Sequence, residues 1–228
     1  MITVISSMAT REVLAELAAF YQSRAGTGVA IESVGGVEAA KRIRAGELFD
    51  VVVLADEAMA SLESEGRVAR GTRIAVAASG IAVAVRAGSA LPDISGEDAV
   101  RKAVLEASSI GYSTGPSGVQ LARLFEGWGI ADTIRSRVMQ APPGVPVGTL
   151  VASGEVELGF QQLSELIHMP GIRVVGPLPA QIQVTTIFSG GVCATSSQCQ
   201  AASAWLAFIA SPEGDDAKRR HGMEPAGR

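Results

Sequence analysis

Long apolar runs are missing from this chain of 228 residues. None approaches the roughly 18 residues that suggest a membrane-spanning helix, so no membrane insertion is expected. Clusters of basic residues are missing as well. The 19 Lys and Arg are outnumbered by 23 Asp and Glu, and the formal net charge is −4. The densest group, Lys41-Arg42-Ile43-Arg44, reads as the solvated face of a helix, and a nucleic-acid partner is excluded. Histidine and cysteine are scarce. Cys193 and Cys199 stand without His nearby, which is no zinc spacing; they read as buried free thiols, with a disulfide left open. No metal and no cofactor are expected. Aromatic residues make up 4% of a chain that is 47% hydrophobic, so Ala, Val, Ile and Leu must fill the core. A basic start followed by an apolar stretch and a cleavage site is also lacking, because Met1 leads straight into a β-branched run. The chain as written is therefore expected to be cytoplasmic, and periplasmic where a leader has been removed.

What is present is one device used repeatedly. Ile2-Thr3-Val4-Ile5 reads as a strand, Ser6-Ser7 as a turn, and Arg11 onward as a helix with Val13, Leu14, Leu17 and Ala18 at helical spacing. Ser6, Ser7 and Thr10 stand where a helix N-terminus offers backbone N–H groups and a positive dipole end. They serve either as caps or as anion ligands. The device recurs after Val29–Val34, where Gly35-Gly36 opens a helix from about Val37 to Ala45. It recurs again after Ser109–Tyr112, where Ser113-Thr114-Gly115-Pro116-Ser117-Gly118 opens a helix over Val119–Trp128. Phe49–Asp56 is a continuous apolar strand of the kind covered on both faces. Val156–Gln162 reads as a strand ending in two amides, of which only one need reach a ligand, since neighbours on a strand point to opposite faces.

Two β stretches are too long for this alternation, Thr72–Arg86 (broken at Ser79-Gly80) and Ile182–Ala194. They are read as crossings between two α/β lobes, 1–80 with 186–228 and 81–185. Such a plan predicts a ligand cleft between the lobes, at the carboxyl ends of their strands. A polar tail, Glu224 to Arg228, closes the chain.

Over almost its whole length the chain resembles a type II periplasmic solute-binding protein, specifically the molybdate-binding proteins of ABC importers. The likeness lies in the opening strand–loop–helix, in Gly35-Gly36 before Ala39-Ala40-Lys41-Arg42-Ile43, and in Phe49-Asp50-Val51-Val52-Val53-Leu54-Ala55-Asp56-Glu57. It continues in Gly115-Pro116-Ser117-Gly118, Ala152-Ser153-Gly154-Glu155-Val156-Glu157-Leu158-Gly159 and Phe208-Ile209-Ala210-Ser211-Pro212-Glu213-Gly214. The resemblance implies a clamshell closing on a small anion, and a permease partner for an exported receptor. Ser6, Ser7, Thr10, Gly35, Gly36, Ser113, Thr114, Ser117, Gly118, Val145 and Gln162 are the expected ligand-binding residues. Several positions depart from the family. Ala9 stands in place of its first-loop serine, Gly36 or Val37 in place of the second, Gln162 in place of a tyrosine, and Gly144-Val145 in place of a Val-Arg pair. These exchanges remove donors that a buried dianion needs, so a carboxylate-bearing organic anion is expected instead.

The chain is also similar to the aconitate isomerases, relatives of this fold that move a proton along a tricarboxylate. That similarity implies a second function, cofactor-free isomerisation of a small polycarboxylate. It requires one acid or base within reach of the substrate carbon, and Glu38 is the carboxylate that stands nearest the Gly35-Gly36 turn. His168 reads as a loop residue, and Arg11 and Arg86 as solvated side chains or partners for a substrate carboxylate.

Overall fold

The computed structural model describes residues 1–142 and 144–226. Pro143, in the proline-rich lead into a helix, and Gly227-Arg228 of the expected tail lie outside the described residues. The chain forms two compact units, Met1–Ser79 with Thr186–Arg228, and Gly80–Thr185.

The first unit opens with β1 (Ile2–Ser7), a 3-10 turn at Met8–Thr10, and α1 (Arg11–Ala25). Then follow β2 (Val29–Val34), α2 (Gly36–Arg44), β3 (Val51–Ala55), α3 (Asp56–Ser64) and β4 (Ile74–Arg86). Strands β2, β1 and β3 lie side by side in parallel, with Ser7 opposite Val34 and Ser6 opposite Val53. The unbroken apolar run of β3 has the cause expected from sequence. Val51 and Val53 pack with Val13, Leu14 and Leu17 of α1, whereas Val52 and Leu54 pack with Ala39, Ala40 and Ile43 of α2 and Met59 and Leu62 of α3. A strand with helices over both faces has no polar side to show.

The second unit takes over within β4 and adds α4 (Glu97–Glu106), β5 (Ile110–Tyr112), α5 (Pro116–Gly127), α6 (Ala131–Ile134) and β6 (Val138–Gln140). It continues with α7 (Val147–Ser153), β7 (Leu158–Gln162), α8 (Leu163–Leu166) and β8 (Ile172–Pro177). Strand β5 runs parallel to both β6 and β7, and β7 and β8 pair antiparallel with β4. Ile81, Val83 and Val85 join one core with Phe125 and Phe160, while Ala82 and Ala84 join Leu166 in another, the period-2 alternation of a strand. Helix α7 lies very close to the sheet, since a Cβ at Gly159 would come within 2.4 Å of Val151 Cγ2. At the start of this unit Gln183 acts as a strand partner through its side chain. Its Oε1 accepts from Ile81 N at 2.8 Å and its Nε2 donates to Ile81 O at 3.0 Å.

The return segment completes the first unit with β9 (Thr185–Val192), α9 (Cys199–Ala210), α10 (Asp215–Arg220) and β10 (Glu224–Pro225). β9 runs antiparallel to β3. Glu224 and Pro225, the start of the expected polar tail, instead pair antiparallel with Ala78 and Ala77 of β4. The sequence misses this because two paired residues carry no periodicity. The two cysteines need a correction as well. Both are free, but only Cys193 is buried, because Cys199 begins α9 and is exposed.

One buried carboxylate ties the chain's early and late segments together. Asp50 accepts from Thr3 N at 2.9 Å, Thr3 Oγ1 at 3.0 Å, Ser196 Oγ at 2.6 Å and Gln198 Nε2 at 3.1 Å. Burial pushes the carboxyl's pKa up, but the bonds from Ser196 and Thr3 outweigh it and hold the carboxyl below its ordinary value. Asp50→Ala is expected to cost about 2–4 kcal/mol in urea denaturation, because it strands several buried donors. A depressed carboxylate stabilises the fold above its unfolded pKa, and that contribution disappears as pH falls through the folded one. The variant should therefore lose least relative to wild type in acid.

Candidate functional site

In the first unit, the carboxyl ends of β1 and β2 are adjacent and each feeds a helix. Ser6, Ser7 and Thr10 are all buried there. Thr10 Oγ1 donates to Ser7 O at 3.1 Å and lies 3.5 Å from Ser7 Oγ; Ser6 Oγ pairs with Ser33 Oγ at 2.8 Å. The capping alternative fails at this turn. Neither Ser7, which precedes the 3-10 turn, nor Thr10, which precedes α1, makes a side-chain capping bond. Gly35 precedes α2, and its backbone has open space where a side chain would stand. Gly36 is close to the first turn, since a Cβ there would lie 3.8 Å from Ser7 Cβ. The structure thus brings Ser7, Thr10, Gly35 and Gly36 together. The first three residues of α2 are Gly36, Val37 and Glu38, whose N–H groups have no intrahelical acceptor. Val37 is 72% exposed at this place.

In the second unit β5, β6 and β7 are parallel, so the turns into α5, α7 and α8 all leave one edge. Ser113 Oγ lies 3.3 Å from Ser117 Oγ and accepts from Gly115 N at 3.3 Å. Here too no side chain caps the helix, which starts on Gly115 with Pro116 in its first turn. Thr114 lies in this loop and Gly118 in the first turn of α5, buried against Ser113. Val145, its N–H bonded to Pro142 O at 3.0 Å, precedes α7, and Gln162 ends β7.

The two amides of β7 are both buried but differ in use. Gln161 is engaged within the unit. Its Oε1 accepts from Val147 N, the first N–H of α7, at 2.9 Å, and its Nε2 donates to Glu165 Oε1 at 2.8 Å. Burial of the Glu165 carboxyl pushes its pKa up from the ordinary 4.5 to about 7, against the opposing effect of the Gln161 bond. Sequence reading missed Glu165. Its one signal was a carboxylate three residues past Gln162, in the first turn of a helix at the end of a strand. Glu38, by contrast, has a side chain 53% exposed and 3.9 Å from Lys41 Nζ. Arg11 is exposed and bonded to Glu12, and His168 and Arg86 are exposed. Among the described residues no group of His, Cys, Asp and Glu is arranged to hold a metal, and no helix is long and apolar enough to cross a membrane.

Parallel strands with helices on both faces, and hydroxyl-rich turns at helix starts, define a type II periplasmic-binding-protein fold, and solved structures agree. The periplasmic molybdate-binding protein of Azotobacter vinelandii superposes with a TM-score of 0.81 at 20% identity, over 98% of both chains. The substrate-binding domain of a putative molybdenum ABC transporter from Clostridium difficile does so with a TM-score of 0.76 at 16% identity, over 99% of both. Residues 2–224 match the family model of the bacterial extracellular solute-binding proteins, and the chain belongs to that family. It is also 37% identical over 230 residues to an aconitate isomerase from a Pseudomonas species, covering 98% of this chain and 87% of that protein. The solute-binding protein fold expected from the sequence is therefore the fold observed.

Proposed function

We propose that this protein binds a small organic polycarboxylate. Each unit offers donors of its own: the first the hydroxyls and main-chain N–H groups at its β1–α1 and β2–α2 turns, the second those at its β5–α5 turn together with Gln162. The observation that carries this reading is that Ser7 and Thr10, buried hydroxyl residues at the N-cap positions of the 3-10 turn and of α1, make no side-chain capping bond. A hydroxyl has one proton and two lone pairs, so Ser7 Oγ, whose contact to Thr10 Oγ1 is a long 3.5 Å, keeps capacity for a ligand. An inorganic tetrahedral dianion fits less well than a carboxylate with a carbon skeleton. Val37, exposed at the start of α2, brings apolar surface to a turn where an oxyanion requires donors, and Ala9, buried in the core, supplies no donor from its side chain. On this reading the partner is a small anion, delivered to an importer's permease where the protein is exported.

A second reading, isomerisation of the same polycarboxylate, is favoured by the 37% identical aconitate isomerase and by a buried carboxyl poised near neutrality. Shifting a double bond by a 1,3-proton transfer needs a group that both takes and gives a proton at working pH.

A thermal-shift series with molybdate, tungstate, sulfate, phosphate, citrate and cis- and trans-aconitate tests the first reading, and proton NMR on the responding anion tests the second. A tricarboxylate should raise the melting temperature, with about 2.7 kcal/mol of stabilisation at 100 times its dissociation constant. A response confined to molybdate and tungstate would overturn the carboxylate reading. Conversion of one aconitate isomer into the other would make the protein an enzyme, and return of the anion unchanged would make it a receptor.

A further inference from the structure

The carboxyl edge of the second unit holds a relay that simple anion binding does not use. It runs from the first N–H of α7, through both ends of the Gln161 amide, to Glu165 in α8. Gln161 is buried and cannot exchange these bonds for water. An amide locked in this way sets the orientation of the β6–α7 turn, which carries Val145, and of the β7–α8 turn, which carries Gln162. Glu165 residue-wide is half-buried, but its carboxyl is enclosed by protein.

We propose that Glu165, acting through Gln161, is a positioning residue for this edge, and that anion binding is coupled to protonation of its carboxyl. The physical basis is charge. A carboxylate in a dry position at an edge that receives an anion repels it, and taking up one proton removes the repulsion. The elements packed against α8 offer little to compensate. β7 and α7 carry no charged side chain, β8 carries Arg173 and β4, packed on α8 through Ala82 and Ala84, carries Arg86, and both arginines are exposed. His168, just beyond α8, is exposed too. Burial drives the shift of Glu165 to about 7, with the Gln161 bond as its opponent. The group is half-protonated near neutrality and can respond in either direction.

This inference rests on the anion-binding reading, and its test separates the two. Calorimetric titration of cis-aconitate into the protein, in two buffers of different ionisation enthalpy at pH 7, counts the protons taken up. Wild type should take up a fraction of one proton more than Glu165→Gln. Its affinity should weaken by up to about tenfold per pH unit above neutrality relative to that variant. The ligand's own titration is common to both proteins and cancels. Gln161→Met removes the bond that opposes burial, so the pH at which affinity begins to weaken should move upward. Equal proton uptake and equal pH slopes in wild type and Glu165→Gln would overturn the proposal. Infrared difference spectra of the ligand-free protein give the independent arm. A carboxylic C=O band lost as pH rises through neutrality, and absent in Glu165→Gln, is expected. If that band is missing while cis-aconitate binds, the proposal alone fails. If the band is present and no anion binds, the anion-binding reading fails and takes the coupling with it.

Discussion

Gly118→Ala is expected to disable the turn proposed to bind an anion in the second unit and to cost stability at the upper end of about 1–3 kcal/mol. The added methyl would sit 1.7 Å from Ser113 O and 3.1 Å from Tyr112 Cδ2. The first obstacle is a backbone carbonyl, which cannot rotate aside as a side chain can. Either the first turn of α5 or the Ser113–Gly115 loop must move, and with it the 3.3 Å approach of Ser113 Oγ to Ser117 Oγ. Both losses are measurable, stability by urea denaturation and binding by the melting shift with cis-aconitate. Gly35→Ala is the matched control for the stability arm. It changes the glycine that precedes α2, where φ is −56° and no atom stands within 4 Å of the new Cβ. That substitution should be neutral or stabilising by up to about 1 kcal/mol, since alanine reduces the freedom of the unfolded chain. Equal losses of stability from the two substitutions would refute the account of Gly118.

Asp215→Ala should be among the most damaging substitutions outside the apolar core. Lys218 is fully buried, and its ammonium lies 3.2 Å from Asp215 Oδ1, whose side chain is 16% exposed. Taking away the carboxylate leaves a positive charge enclosed with less to balance it, a change that costs about 3–5 kcal/mol for a buried pair. Lys218→Met is expected to be far milder. It removes the charge that needs compensating, fills the same space, and leaves Asp215 in the first turn of α10, where the helix dipole favours an acid. Urea denaturation of the two variants checks the asymmetry. If Asp215→Ala proves the gentler change, the pair does not carry the burial of Lys218.

Much of the architecture was legible because it is written in periodicity. The apolar run of β3 announced cover on both faces, and the core of α1 followed the spacing of Val13, Leu14 and Leu17. Short elements were not legible. Val138–Gln140 and Glu224–Pro225 are strands only because a neighbouring strand is there to pair with them. The candidate site divides in the same way. Ser7, Thr10, Ser113 and Ser117 could be named from sequence, since strand–hydroxyl–helix is a local pattern. Whether those hydroxyls cap their helices was undecidable, because the capping bond depends on backbone angles that composition does not set. Glu165 lay beyond reach for a different reason. Its raised pKa comes from enclosure by residues that the fold assembles, and an acid in a first helical turn is ordinarily a solvated one.

The division of the chain also bears on the order in which it is made. Residues Gly80–Thr185 are one uninterrupted stretch, whereas the other unit needs both ends of the sequence. Asp50, synthesised early, finds Ser196 and Gln198 only after a further 146 and 148 residues have been added. On the ribosome, the interior stretch can therefore reach its final form before the segment that precedes it does. Until the last strands emerge, β3 lacks β9 and the apolar residues of β1 lack α9. The segment before Gly80 is therefore the last to close, and its apolar faces stay open to solvent the longest.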